Sequence, residues 1–185
     1  MIKEMKNSVQ KTVFTGVLAA LLAVLSQISI PLPSGVPITL QTFSVALGGF
    51  MLGPVMGTAA VAVYLALGAV GLPVFAGFSG GFGVFVNLTG GFLWGFLPMA
   101  FVTGVGAKLQ NKFLSISMGI AGMFICHVCG IVQFAIVMDM PLIQAFLVAS
   151  APYLIKDIIS VGLAYFVALG VSMGLRKAGM GVQHE

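Results

Sequence analysis

The chain has 185 residues, 59% of them hydrophobic and only 6% charged, with a formal net charge of +4 and a mean hydropathy of +1.16. A soluble domain carries about 25% charged residues, so the composition excludes a soluble globular protein and implies an integral membrane protein. The basic excess does not point to nucleic acid, because Lys3, Lys6 and Lys11 precede the first apolar run, Lys108 and Lys112 share one loop, and Arg176 and Lys177 follow the last run. Basic residues collect in cytoplasmic loops, and about six crossings bring all three clusters, with both termini, to that side. The apolar runs are continuous, unlike the short alternating segments of a β-barrel, and each crossing needs about 20 apolar residues. The expected fold is therefore an all-α membrane bundle of about six transmembrane helices. It forms one transmembrane domain, with residues 1–11 as a cytoplasmic leader, 12–175 as the bundle and 176–185 as a cytoplasmic tail.

In chain order, residues 12–30 form the first span. Ser26-Gln27-Ile28-Ser29 offers no good small-x-small cleavage site, so the span reads as retained and not as a signal peptide. Ala19 and Ala23, four apart with Ala20 beside them, let another helix come close, either inside the bundle or from a partner. Residues 31–42 hold Pro31, Pro33 and Pro37, which cannot continue a helix. They read as a stiff external loop that carries Thr39, Gln41 and Thr42 and forms a lid, one wall of a site, or a plain connector. The second span, about residues 40–52, ends at Gly53-Pro54, and the third runs from about residue 55 to 71. Gly49, Gly53 and Gly57 are spaced by four, as in closely crossing helices.

Residues 71–91 mix glycines with phenylalanines and are too apolar for a free loop. They read as a re-entrant or capping segment over a cavity, where non-helical backbone is tolerated at membrane depth; Asn87 and Thr89 are its amide and hydroxyl. The fourth span, about 91–107, holds Trp94, which either stacks on a ligand or anchors at the membrane interface. The fifth span covers about 113–138, residues 142–150 form a short external helix, and Pro152 opens the sixth span as a first-turn proline.

Lys156 and Asp157 are ionisable residues inside this last apolar run, and intramembrane ionisable groups tend to mark functional sites. Tyr153, Lys156, Asp157 and Ser160 share one broad helical face, and together could hold a small zwitterionic or anionic ligand. The plainer reading is that Lys156 and Asp157 neutralise each other or that the lysine snorkels. Cys126-His127-Val128-Cys129 lacks the second ligand pair that zinc needs. No Gly-x-x-x-x-Gly-Lys-Ser/Thr phosphate loop occurs, and with two histidines in all no catalytic constellation is formed. Neither an enzyme, a metal site nor a cofactor is expected; what remains is a small bundle with a polar pocket under an external lid.

Three blocks carry a resemblance: residues 36–42 (Val36-Pro37-Ile38-Thr39-Leu40-Gln41-Thr42), residues 68–77 (Gly-Ala-Val-Gly-Leu-Pro-Val-Phe-Ala-Gly), and Pro152-Tyr153-Leu154 followed by Asp157. Across most of residues 12–175 the chain resembles the BioY family, the biotin-binding S components of energy-coupling factor (ECF) transporters. The resemblance implies a six-helix S-component bundle in the bacterial cell membrane with biotin bound near the outer face. It also implies as partners a transmembrane coupling protein and two cytoplasmic ATPase subunits, with the first-helix pair Ala19 and Ala23 matching the pattern that contacts the coupling protein. The family's lysine one turn after its aspartate region falls on Ser160, while Lys156 occupies a family glycine. Of the family's Gly-Pro-Thr-Gly-Gly-Tyr block only Thr89 and its glycines match.

Biotin's ureido ring would suit Asp157, Asn87 and Gln41, its carboxylate Lys156, and its apolar body Phe75, Tyr153 and Trp94. The expected activity is capture of biotin from outside, with an S component for another small vitamin as the alternative. A membrane enzyme or a stand-alone channel comes further behind.

Overall fold

The computed structural model describes residues 8–177; the leader residues 1–7, with Lys3 and Lys6, and the tail 178–185 lie outside the described residues. The helices follow the apolar runs: α1 Ser8–Ser26, α2 Gln41–Ala69, α3 Gly90–Gly106, α4 Lys112–Val137, the short α5 Leu142–Ala149 and α6 Leu154–Lys177. α1, α2, α4 and α6 are each long and apolar enough to cross a bilayer, and α3 is a shorter apolar helix.

α1 starts at Ser8 and stops at Ser26, four residues short of the expected end at residue 30. The reason lies in the prolines. Ile30 precedes Pro31, and a residue before proline is driven to extended backbone. Residues Ser29–Ile30 (β1) pair antiparallel with Ile38–Thr39 (β2), in the register Ser29↔Thr39 and Ile30↔Ile38. This two-stranded clasp closes the proline loop into a flap.

α2 is formally 29 residues long, but Gly53 breaks it, with φ 78° and ψ −175°, just before Pro54. Only glycine tolerates that backbone, and proline cannot supply the amide a continuing helix needs. The two halves fold back on each other. Gln41 Nε2 donates to Tyr64 Oη at 2.9 Å, whereas an unbroken helix would separate residues this far apart by about 35 Å. α2 is thus the pair of antiparallel segments that the sequence places on either side of Gly53-Pro54.

Small residues then set the depth of packing. A Cβ on Gly49 would lie 2.8 Å from the Ala100 carbonyl oxygen and 2.9 Å from Thr103 Cβ, one on Gly57 would lie 2.9 Å from the Gly48 oxygen, and one on Gly95 would lie 2.7 Å from Cys126 Cα. α3 lies between α2 and α4, α1 packs on α2, and α6 packs across α2 and α4. Phe50, Tyr64, Met99, Met123 and Val161 fill the interior with no accessible surface above 0%. A second, smaller cluster of Val36, Phe134, Ala145, Ala149 and Tyr153 ties the proline flap to α4, α5 and α6.

Two features differ from the sequence expectation. Pro152 stands in a turn just before α6 and not inside its first turn; the Tyr153 carbonyl accepts the early helical bond from the Asp157 amide at 2.9 Å. Ala19 is 1% exposed and belongs to the main core, while Ala23 is half-buried against it. Their packing neighbours are therefore inside the bundle, and the exposed small residues of α1 are Gly16 and Ala20. α1 is apolar all round, so the spacing of its alanines does not mark which face turns outward.

Candidate functional site

The proline flap, the start of α2, the segment 75–89, the facing sides of α3 and α4, and the start of α6 enclose a cavity of about 310 Å³. That is the lower end of the range for small-molecule sites, about 300–1,000 Å³. Its apolar wall includes Phe75, Phe92, Phe96, Met99 and Met123, and its polar wall includes Thr39, Gln41, Thr42, Asn87, Thr89, His127, Tyr153, Lys156 and Asp157.

The centre of the polar wall is Asp157, in the first turn of α6 and only 4% exposed. Its Oδ2 meets His127 Nε2 at 3.2 Å, and its Oδ1 pairs with Lys156 Nζ at 2.5 Å. Oδ1 is buried, and the Lys156 ammonium and the Thr42 side chain are the donors beside the carboxylate. Lys156 Nζ also donates to the Thr39 carbonyl at 2.8 Å. The lysine therefore joins α6 to the flap, and the two charges neutralise each other while both face the cavity.

Tyr153 reaches the flap too. Its hydroxyl donates to the Val36 carbonyl at 2.6 Å and lies 3.1 Å from Ser34 Oγ. Gln41 is fixed between Thr39 Oγ1, which donates to its Oε1 at 3.0 Å, and Tyr64. The capping segment contains two short 3₁₀ turns, Ala76–Phe78 and Phe82–Val86. It turns Phe75 inward, at 2% exposed, and leaves Phe78 and Phe82 outside.

Two glutamines clamp this segment by its backbone. Gln27 Nε2 donates to the Phe75 carbonyl at 3.1 Å and its Oε1 accepts from the Phe78 amide at 2.9 Å. Gln133 Nε2 donates to the carbonyls of Phe85 and Asn87 at 2.8 and 2.7 Å.

The structure thus brings Thr39, Gln41, Phe75, Asn87, Thr89, Tyr153, Lys156 and Asp157 to one cavity. It does not bring Trp94 or Ser160 there. Trp94 is 48% exposed and its ring packs on Phe85 at a centroid distance of 4.9 Å, on the outside of α3. Ser160 is buried, but it lies one turn further along α6 than Lys156 and does not reach the cavity wall. His127 also lines the cavity, although in the sequence it stands out only beside Cys126 and Cys129, in a motif too short for zinc. The signal was available: an imidazole inside an apolar run falls under the same intramembrane argument as Lys156 and Asp157. Cys126 instead donates its thiol to the Phe92 carbonyl at 3.4 Å.

Apolar helices closed over a cavity with a buried carboxylate, an ammonium and an aromatic wall define a membrane-embedded receptor for a small molecule with a polar head. The chain belongs to the BioY family, whose model matches residues 1–177. It is 41% identical over 155 residues to the biotin transporter BioY of Thermotoga maritima, covering 83% of this chain and 90% of that protein. It is 40% identical over 167 residues to the biotin transporter BioY of Rhodobacter capsulatus, covering 83% and 88%. Among solved structures it is similar to the S-component for biotin from an ECF-type ABC transporter, with a TM-score of 0.76 and 28% identity over 89% of this chain and 94% of that one.

Proposed function

We propose that this chain is the biotin-capturing S component of an ATP-driven importer in a bacterial cell membrane. The observation that carries the reading is the side-by-side placement of Lys156 Nζ and Asp157 Oδ1, 2.5 Å apart on the cavity wall. A urea presents its carbonyl and N–H side by side in the same way, so one ureido edge finds a donor in Lys156 and an acceptor in Asp157. Charge-assisted hydrogen bonds of this kind are the strong ones. Phe75, Phe92 and Phe96 then offer apolar surface to the fused thiolane ring and alkyl chain.

This assigns Lys156 to the ureido head and not to the carboxylate tail. The tail of biotin lies a five-carbon chain away from the head, whereas Lys156 and Asp157 share one spot. The coupling protein and two ATPase subunits are the implied partners. Since Ala19 packs inside, the exposed stripe of α1 that includes Val13, Val17, Ala20 and Val24 is the face on offer to the coupling protein.

The test is calorimetric titration of the purified chain in detergent with biotin and with biotin amide, for wild type and Lys156→Ala. Tight one-to-one binding by wild type, with Lys156→Ala weakening both ligands alike, supports both statements. Folded wild-type protein that does not bind biotin refutes the function. Weakening of biotin alone returns Lys156 to the carboxylate.

A further inference from the structure

His127 links Ser150, at the end of α5, to Asp157 in α6. His127 lies in the middle of α4 and is 5% exposed; Ser150 closes α5 and is 0% exposed. Both imidazole nitrogens are engaged: Nδ1 lies 2.7 Å from Ser150 Oγ and Nε2 lies 3.2 Å from Asp157 Oδ2. The ring is held from the side as well, edge-to-face with Phe92 at 5.8 Å and 89°.

A carboxylate only accepts, so Nε2 carries the hydrogen and donates to Oδ2, while Nδ1 shares a hydrogen with the Ser150 hydroxyl at 2.7 Å. With Oδ2 tied down in this way, the carboxylate of Asp157 cannot turn, and Oδ1 is the oxygen left for a ligand donor. Such outer partners orient a binding group through its second atom, and preorganisation of this kind raises affinity by removing an ordering cost.

We infer that His127, held by Ser150, is a positioning residue that aims Asp157 at the ureido N–H of the ligand. The inference rests on the biotin reading. Its distinctive prediction concerns Ser150, which does not line the cavity and whose hydroxyl meets the imidazole.

Biotin affinity is measured by calorimetry on the purified chain for wild type, Ser150→Ala, His127→Leu and His127→Gln, and for the first two substitutions again in an Asp157→Asn background. Monodispersity on gel filtration confirms the fold of each. His127→Leu is expected to bind biotin about tenfold more weakly, the effect of losing one hydrogen bond to a charged group. Ser150→Ala is expected to lose about threefold to tenfold, as for a neutral hydrogen bond.

His127→Gln keeps an N–H near the position of Nε2 and is expected to recover most of the loss. In the Asp157→Asn background, both effects should shrink to less than about twofold, because residues acting through one partner are not additive. Wild-type affinity in Ser150→Ala and His127→Gln together with His127→Leu, or losses that persist undiminished without the Asp157 charge, would overturn the inference. Failure of wild type itself to bind biotin would instead remove the biotin reading, and this inference with it. If His127→Leu does not fold, Ser150→Ala and its cycle with Asp157→Asn decide alone.

Discussion

Asp157→Asn isolates the charge at the centre of the cavity. The change keeps the shape of the side chain and leaves an oxygen that can still accept from His127, so the 3.2 Å contact to Nε2 survives. What is lost is the acceptor facing the ligand: with the amide oxygen on His127, the amide nitrogen takes the place of Oδ1 and can only donate. A hydrogen bond to a charged group contributes about 1.5–3 kcal/mol, and each 1.4 kcal/mol is tenfold in affinity, so biotin should bind about ten- to a hundredfold more weakly. The folded state should suffer much less, because the Lys156 side chain is 30% exposed and can return its charge to solvent, where ion pairs contribute only about 0–1 kcal/mol.

The matched control is Asp139→Asn. Asp139 is exposed and sits at φ 48° just past α4, a left-handed conformation that asparagine adopts as readily as aspartate. Calorimetry with biotin and thermal melting in detergent, run on both variants, read the two effects separately. Equal affinities for the two variants would refute the placement of Asp157 in the binding site. A large loss of melting temperature in Asp157→Asn with affinity intact would make the carboxylate structural.

Tyr153→Phe removes the 2.6 Å bond that holds Val36 of the flap. Biotin dissociation measured by stopped flow should accelerate about fivefold, the effect of one hydrogen bond of about 1 kcal/mol. Gly49→Ala drives a methyl to 2.8 Å from the Ala100 carbonyl and should destabilise the bundle by about 1–3 kcal/mol in detergent melts. Gly162→Ala, with nothing within 4 Å of the added carbon, should not. Ala19→Leu should lower the melting temperature by overpacking the core, again about 1–3 kcal/mol, while Ala20→Leu should leave melting and biotin binding unchanged and reduce co-purification with the coupling protein.

Strong local chemistry was legible in the sequence. Glycine followed by proline at residues 53 and 54 announced the break in α2, because neither residue needs tertiary context to interrupt a helix. The glycine-rich aromatic stretch 71–91 announced a non-helical cap, and Lys156 with Asp157 announced the polar wall. Absolute rotation was not legible. α6 and α1 are apolar nearly all round, so periodicity relates Ser160 to Lys156 and Ala19 to Ala23 without saying which neighbour they meet. Trp94 was ambiguous for the same reason. His127 with Ser150, and Gln27 with Gln133, act through partners 23 to 51 residues away, a relation that only the assembled bundle creates.

The glycine crossings have a mechanical meaning. Gly49 rests on Ala100, Gly95 on Cys126 and Gly122 on Met99, backbone against backbone, with no side chain between them to yield. Helices joined this way cannot slide along each other without steric collision, and parting them would open voids in a close-packed interior. Met99, Met123, Cys126 and His127, the inner wall of the cavity, all belong to this block. A passage for cargo between these helices would have to break that packing. The flap and the capping segment close the cavity from the other side, held by bonds from Tyr153, Lys156, Gln27 and Gln133. If cargo is delivered across a bilayer, the expectation is that the block moves as one piece, together with the mouth it carries.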